Sequence, residues 1–105
     1  MTKPTTTSVT RGELVIWRGL SESEPGAPIA LSQYPVKTVT IRGGEARLMG
    51  ANVDGDDFPI TDDHGLPIKG PGMYRVILNP LKVWPVVTSG TDVTVTVLAC
   101  RDGGL

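Results

Sequence analysis

The chain has 105 residues, with 10 Lys+Arg set against 11 Asp+Glu. That length suits one domain with a thin core, and the balanced charge lacks the basic excess that nucleic-acid phosphates call for. The single cysteine, Cys100, rules out an internal disulfide and argues against a Cys-based zinc site, and no apolar run approaches the ~20 residues of a membrane span.

Residues 1–8 (MTKPTTTS) are polar and Thr-rich, and they have no apolar stretch of the kind a signal peptide carries. They read as a flexible arm ahead of a domain at 9–101, with 102–105 as a short tail. Residues 13–18 (ELVIWR) are apolar on both faces and predict an interior strand. A polar loop follows at 21–28 (SESEPGAP), the segment expected to be most flexible, then a weak strand at 27–31. Residues 36–42 (VKTVTIR) alternate, with Val39 and Ile41 sharing a face. Weak strands are predicted at 46–51 and 57–61, and a strand at 73–79 (MYRVILN), apolar on both faces, reads as interior. Residues 82–88 (KVWPVVT) form another weak strand. Pro59 and Pro85 cannot donate to a ladder, so their strands belong at edges or bulges. The clearest signal is 92–100 (DVTVTVLAC): Val93, Val95, Val97 and Ala99 face one way, Thr94, Thr96 and Leu98 the other. Asp54-Gly55, Asp63-His64-Gly65, Pro71-Gly72 and Ser89-Gly90 mark turns between strands. No window suits a helix of two turns. The expected fold is therefore all-β, a small antiparallel β-sandwich of jelly-roll type with about eight short strands.

Chemistry-bearing patterns are few. Asn52, Asp54, Asp56, Asp57, Asp62 and Asp63 resemble the start of a calcium loop, yet Asp57 stands where that loop needs glycine and a bidentate Glu is missing. Two Asx-rich turns explain the cluster, and no metal is expected. His64, the only histidine, sits in a turn, and Cys100 near a strand end. Neither has an evident catalytic partner. Neither Arg42-Gly43-Gly44 nor Gly70-Pro71-Gly72 precedes a helix, so neither cradles phosphate. Trp17 reads as core, whereas Trp84 is divided between core and surface because Pro85 argues for an edge. No catalytic residue and no cofactor are expected.

Two segments carry a family resemblance. Residues 49–60 (MGANVDGDDFPI), followed by TDDHGLPI, are similar to the strand, Asx-Asp-Gly turn, strand unit of jelly-roll domains. Discoidin-type carbohydrate-binding modules carry a comparable Ser-Asn-Asp-Gly turn. Val53 interrupts it here, while Phe58 supplies the aromatic expected after it. Residues 79–101 (NPLKVWPVVTSGTDVTVTVLACR) resemble the C-terminal hairpin of small proteins from tailed-phage structural modules. From about residue 36 to 101 the order of elements looks like that of jelly-roll decoration, or cement, proteins of tailed-phage heads.

That resemblance implies a non-enzymatic virion protein, made in the host cytoplasm and held on the capsid exterior. Its partners would be the major capsid protein and copies of itself, as a dimer or trimer, with neither nucleic acid nor membrane involved. The main rival is a lectin-like module, which needs exposed aromatics on an open platform. The candidate interface consists of Thr5, Thr6, Thr7, Trp84 and Pro85, the threonines because an extended Thr-rich arm would order on its target by strand addition.

Overall fold

Eight strands account for the regular structure of a computed structural model, which describes residues 1–101. They are β1 (Thr5–Val9), β2 (Gly12–Leu20), β3 (Val36–Arg42), β4 (Glu45–Ala51), β5 (Phe58–Pro59), β6 (Gly72–Val76), β7 (Lys82–Ser89) and β8 (Val93–Cys100). No helix occurs among the described residues. One sheet has the order β1-β2-β8-β3-β6 and the other β5-β4-β7, and every strand pairing is antiparallel. From β3 onward the chain crosses between the sheets at β3–β4, β5–β6, β6–β7 and β7–β8, so the expected jelly-roll sandwich is the architecture found. The tail at 102–105 lies outside the described residues.

Alternation builds the core. Val93, Val95, Val97 and Ala99 of β8 are all at most 1% exposed, and Thr94, Thr96 and Leu98 face away. In register with them, β2 contributes Val15 and Trp17 and β3 contributes Val39 and Ile41. The facing sheet contributes Ala46, Leu48, Val83 and Val87, while Leu31, Ile60 and Ile68 close the sandwich from the connections. Trp17 is wholly buried, as its place in an apolar run predicts, and its indole N–H donates to the Ala27 carbonyl at 3.0 Å.

Four segments differ from the sequence reading. The arm is the first, since residues 5–9 form β1, paired along its length with β2 from Thr5↔Ile16 to Val9↔Gly12. All five residues are exposed. An edge strand with both faces in solvent has no hydropathy alternation, which is why β-branched Thr was its only signal. Second, β6 is an edge strand, not an interior one, and it stops at Val76. Met73 is 73% exposed and Ile77 54%, so its apolar run reflects surface side chains.

Third, residues 27–31 form no strand. Ile29 instead makes a two-bond bridge to Val83, at 2.9 and 3.0 Å. Fourth, the 21–28 loop is bonded along its course. Thr2 donates to the Pro25 carbonyl and accepts from the Ala27 N–H, and Gly26 N–H donates to the Pro85 carbonyl. Gly26 has no room for a side chain, because a Cβ there would lie 2.5 Å from the Pro85 ring and 2.6 Å from Trp17. Pro59 and Pro85 fall in β5 and β7, the two edges of the smaller sheet, where a missing donor is tolerated.

Candidate binding surface

The five residues singled out by sequence do not come together. Thr5, Thr6 and Thr7 lie on β1 at one margin of the five-stranded sheet. Trp84 is half-buried on the outer face of the three-stranded sheet, across from Met49. Pro85 cannot be an interface residue: it is buried and in register with the core residue Leu48. Alternation decides this, since Val83, Pro85 and Val87 share the inward face.

The acidic turns hold themselves together. The Asp62 carboxylate accepts from the His64 and Leu66 backbone N–H groups, each at 2.9 Å. Asp54 pairs with Lys82, whose ammonium holds that carboxyl below the usual carboxylate range. Asn52 Oδ1 accepts from the Leu81 N–H. Among the described residues no group of three or more His, Cys, Asp or Glu side chains could hold a metal ion. A chelator is therefore expected to leave the melting temperature unchanged. A clear drop in a calorimetric scan would restore the calcium reading. His64 has a highly exposed side chain, with Nε2 3.8 Å from Asp63.

A hollow of about 540 Å³ beside β4 is lined by Glu45, Arg47, Thr61, Ile68 and Lys69 among others, with no aromatic ring in its wall. Without a ring it lacks the stacking platform of a sugar site.

The outer face of the five-stranded sheet is different. Strand register lays its outward residues in rows. One row reads Thr7, Leu14, Leu98, Thr38, Arg75 from β1 to β6, and the next reads Thr5, Ile16, Thr96, Thr40, Met73. Val9, Gly12, Cys100 and Val36 complete one end. Arg42, across from Thr94, and exposed Arg18 lie toward the other end. No position in these rows is a carboxylate. The face is thus an apolar and threonine surface with arginines at its margin. A hollow of about 460 Å³ opens on it between β3, β6 and β8, walled by Val36, Thr38, Met73, Leu98 and Cys100. Flat apolar area of this kind, bordered by charge, is what association surfaces present.

The sandwich also holds Lys37, wholly buried on the inward face of β3. Its ammonium donates to the Tyr34 carbonyl at 2.9 Å and to Asn79 Oδ1 at 2.6 Å, and the Asn79 amide donates to the Ser32 carbonyl at 2.7 Å. No carboxylate joins this network, and burial pulls the lysine pKa down to about 8. Its work is architectural: it ties the 32–35 and 77–81 connections to β3.

The sequence reading missed both Lys37 and the threonine face. Position 37 is in phase with Val39 and Ile41, a signal that was there to find. The face depends on pairing strands distant in the chain, which no local pattern reveals.

No family model matches the chain and no curated protein is significantly similar to it. Among solved structures it is similar to an uncharacterized conserved protein with a double-stranded β-helix domain from Klebsiella pneumoniae, with 21% identity and a TM-score of 0.46 over 97% of this chain and 81% of that one.

Proposed function

We propose that this chain is a non-enzymatic structural subunit that sits on the exterior of a phage capsid as a decoration, or cement, protein, bound to the major capsid protein and to copies of itself. The observation that carries this reading is the uncovered outer face of the five-stranded sheet, with its Leu14, Leu98 and threonine centre and its arginine margin. Such a face suits a flat protein surface bearing carboxylates. The sequence resemblance to phage-head decoration proteins supports the same role. A modest single-site affinity is enough, because many identical sites on one shell add avidity.

The test is co-sedimentation with empty shells assembled from the major capsid protein encoded in the same genome. The parent chain should pellet with the shells. Arg75→Glu, an exposed charge reversal, should weaken retention about tenfold or more through lost charge complementarity, with an unchanged melting temperature. Equal retention by both would remove this face from the role. Failure to bind shells together with specific capture on a glycan array, sensitive to Trp84→Ala, would establish the lectin reading instead.

A further inference from the structure

Sheet edges are templates for pairing, and proteins ordinarily blunt them with covers, prolines, charges or short length. Three of the four edges here are treated in this way. The free side of β7 is covered by Gly26 and Ile29, which bond to Pro85 and Val83. On β6, the Arg75 carbonyl accepts from the Asp63 N–H, so the 61–68 connection straps that edge. β5 has two residues, one of them Pro59. β1 is the exception. It runs five residues in unbroken register, contains no charge, proline or bulge, and is exposed throughout. Among the described residues, no backbone bond from another segment reaches Thr5–Val9.

We infer that β1 is a self-pairing edge: two copies of the chain join β1 to β1, antiparallel about a two-fold axis at Thr7, to make one continuous ten-stranded sheet. A second copy is the fitting occupant because an uncharged strand meets no repulsion from its own image. A two-fold axis also satisfies both edges at once and closes the assembly. Centring on Thr7 aligns all five residues, Thr5 with Val9, Thr6 with Ser8 and Thr7 with its own counterpart. These are β-branched and hydroxyl pairs of the kind that stabilise antiparallel ladders. The axis stands normal to the sheet, so both threonine faces end on the same side, and one dimer presents a doubled, continuous surface. Lys3 and Pro4, immediately before β1, end the pairing there. This names the surface through which copies associate in the role proposed above and rests on that reading for its purpose alone. Sedimentation reports the pairing and shell retention reports the role, so each can fail without the other.

Five residues per strand bury less than a standard interface, so association belongs in the micromolar to sub-millimolar range. Sedimentation equilibrium of the full chain over that range should show a monomer–dimer equilibrium. Thr7→Lys and Thr7→Glu place like charges directly opposite one another across the axis, and each should weaken dimerisation at least tenfold. Because Thr7 is exposed, each variant should melt as the parent does. Mixed in equal amounts, the two should recover a heterodimer. In a Cys100→Ser background, Thr7→Cys should oxidise to a disulfide-linked dimer, since directly opposed residues lie about 4.5–5.5 Å apart between Cα atoms, within disulfide reach. A parent that stays monomeric throughout, or lysine and glutamate variants that dimerise as well as the parent, would overturn the inference. So would a monomer whose Thr7 variants lose only shell retention, an outcome that assigns the edge to a strand of the capsid protein.

Discussion

Val95→Asp is expected to remove most of the domain's stability at neutral pH. Val95 is 1% exposed at the centre of β8, in register with Trp17 on one side and Ile41 on the other. A carboxylate there has no donor within a wall of valine, isoleucine and indole. It must either stay charged in an apolar interior or take up a proton, and each course costs several kcal/mol. A domain of this size has a net stability of only about 5–15 kcal/mol, so the substitution consumes most of it. The neighbouring change, Thr94→Asp, points outward opposite Arg42 and should move stability by no more than about 1 kcal/mol. Circular dichroism and urea titration of the pair read the phase of β8 directly. A folded Val95→Asp beside an unfolded Thr94→Asp would reverse it.

The other large effect is a stability that rises with alkalinity, and its source is Lys37. Burial lowers the pKa of this amine in the folded chain to about 8 from an ordinary 10.5. Below pH 8 the lysine is charged in both states, and the folded state carries the full cost of a buried ammonium. Between about 8 and 10.5 the unfolded chain binds more protons than the folded one, so stability climbs with pH. The gain is complete above 10.5 and is lost as pH falls through 8, with an amplitude of about 3 kcal/mol. Lys37→Met should lack this climb. At pH 7 that variant escapes the desolvation cost but strands the buried Tyr34 carbonyl, an unmet acceptor worth about 1–3 kcal/mol, whereas exposed Asn79 turns its Oδ1 to water, so its neutral-pH stability should change less than its pH slope. Comparing parent and variant by urea unfolding at steps from pH 7 to 10.5 isolates the contribution of residue 37. Parallel curves would show that Lys37 contributes nothing to the slope.

What could be read from the chain follows from where water lies. In β8 and β3 one face meets the core and the other meets solvent, so Val93–Ala99 and Val39–Ile41 wrote their orientation into the sequence as period-2 alternation. In β1 both faces meet solvent, and Thr5, Thr6 and Thr7 therefore carried no such mark and read as an arm. Around β6 the error ran the other way: Met73, Ile77 and Leu78 are apolar yet exposed, and an apolar run was read as a buried one. Pro59 and Pro85 marked edges correctly because their signal is a missing donor, independent of hydropathy. Pro85 was misjudged as a contact residue because an edge of the sheet is not an edge of the molecule, and Gly26 and Ile29 close over that side. The candidate surface was hidden for a related reason. Leu14, Leu98 and Thr38 share a row only after strands more than twenty residues apart have paired.

The place of β8 has a consequence for how the protein comes into being. β8, the last of the described strands, lies in the middle of the larger sheet, hydrogen-bonded to β2 on one side and β3 on the other. Until it has left the ribosome, β2 and β3 have nothing between them, and the core has lost the valines of 93–97. Among the described strands, only β1–β2 and β4–β5 pair consecutive elements of the chain. The domain therefore waits for its own C-terminal strand and then forms in one cooperative step dominated by distant pairings, a topology that folds in milliseconds to seconds rather than microseconds. Nascent chains that stop short of residue 93 should be sticky, unfolded and subject to rapid proteolysis, so quality control at synthesis is built into strand order.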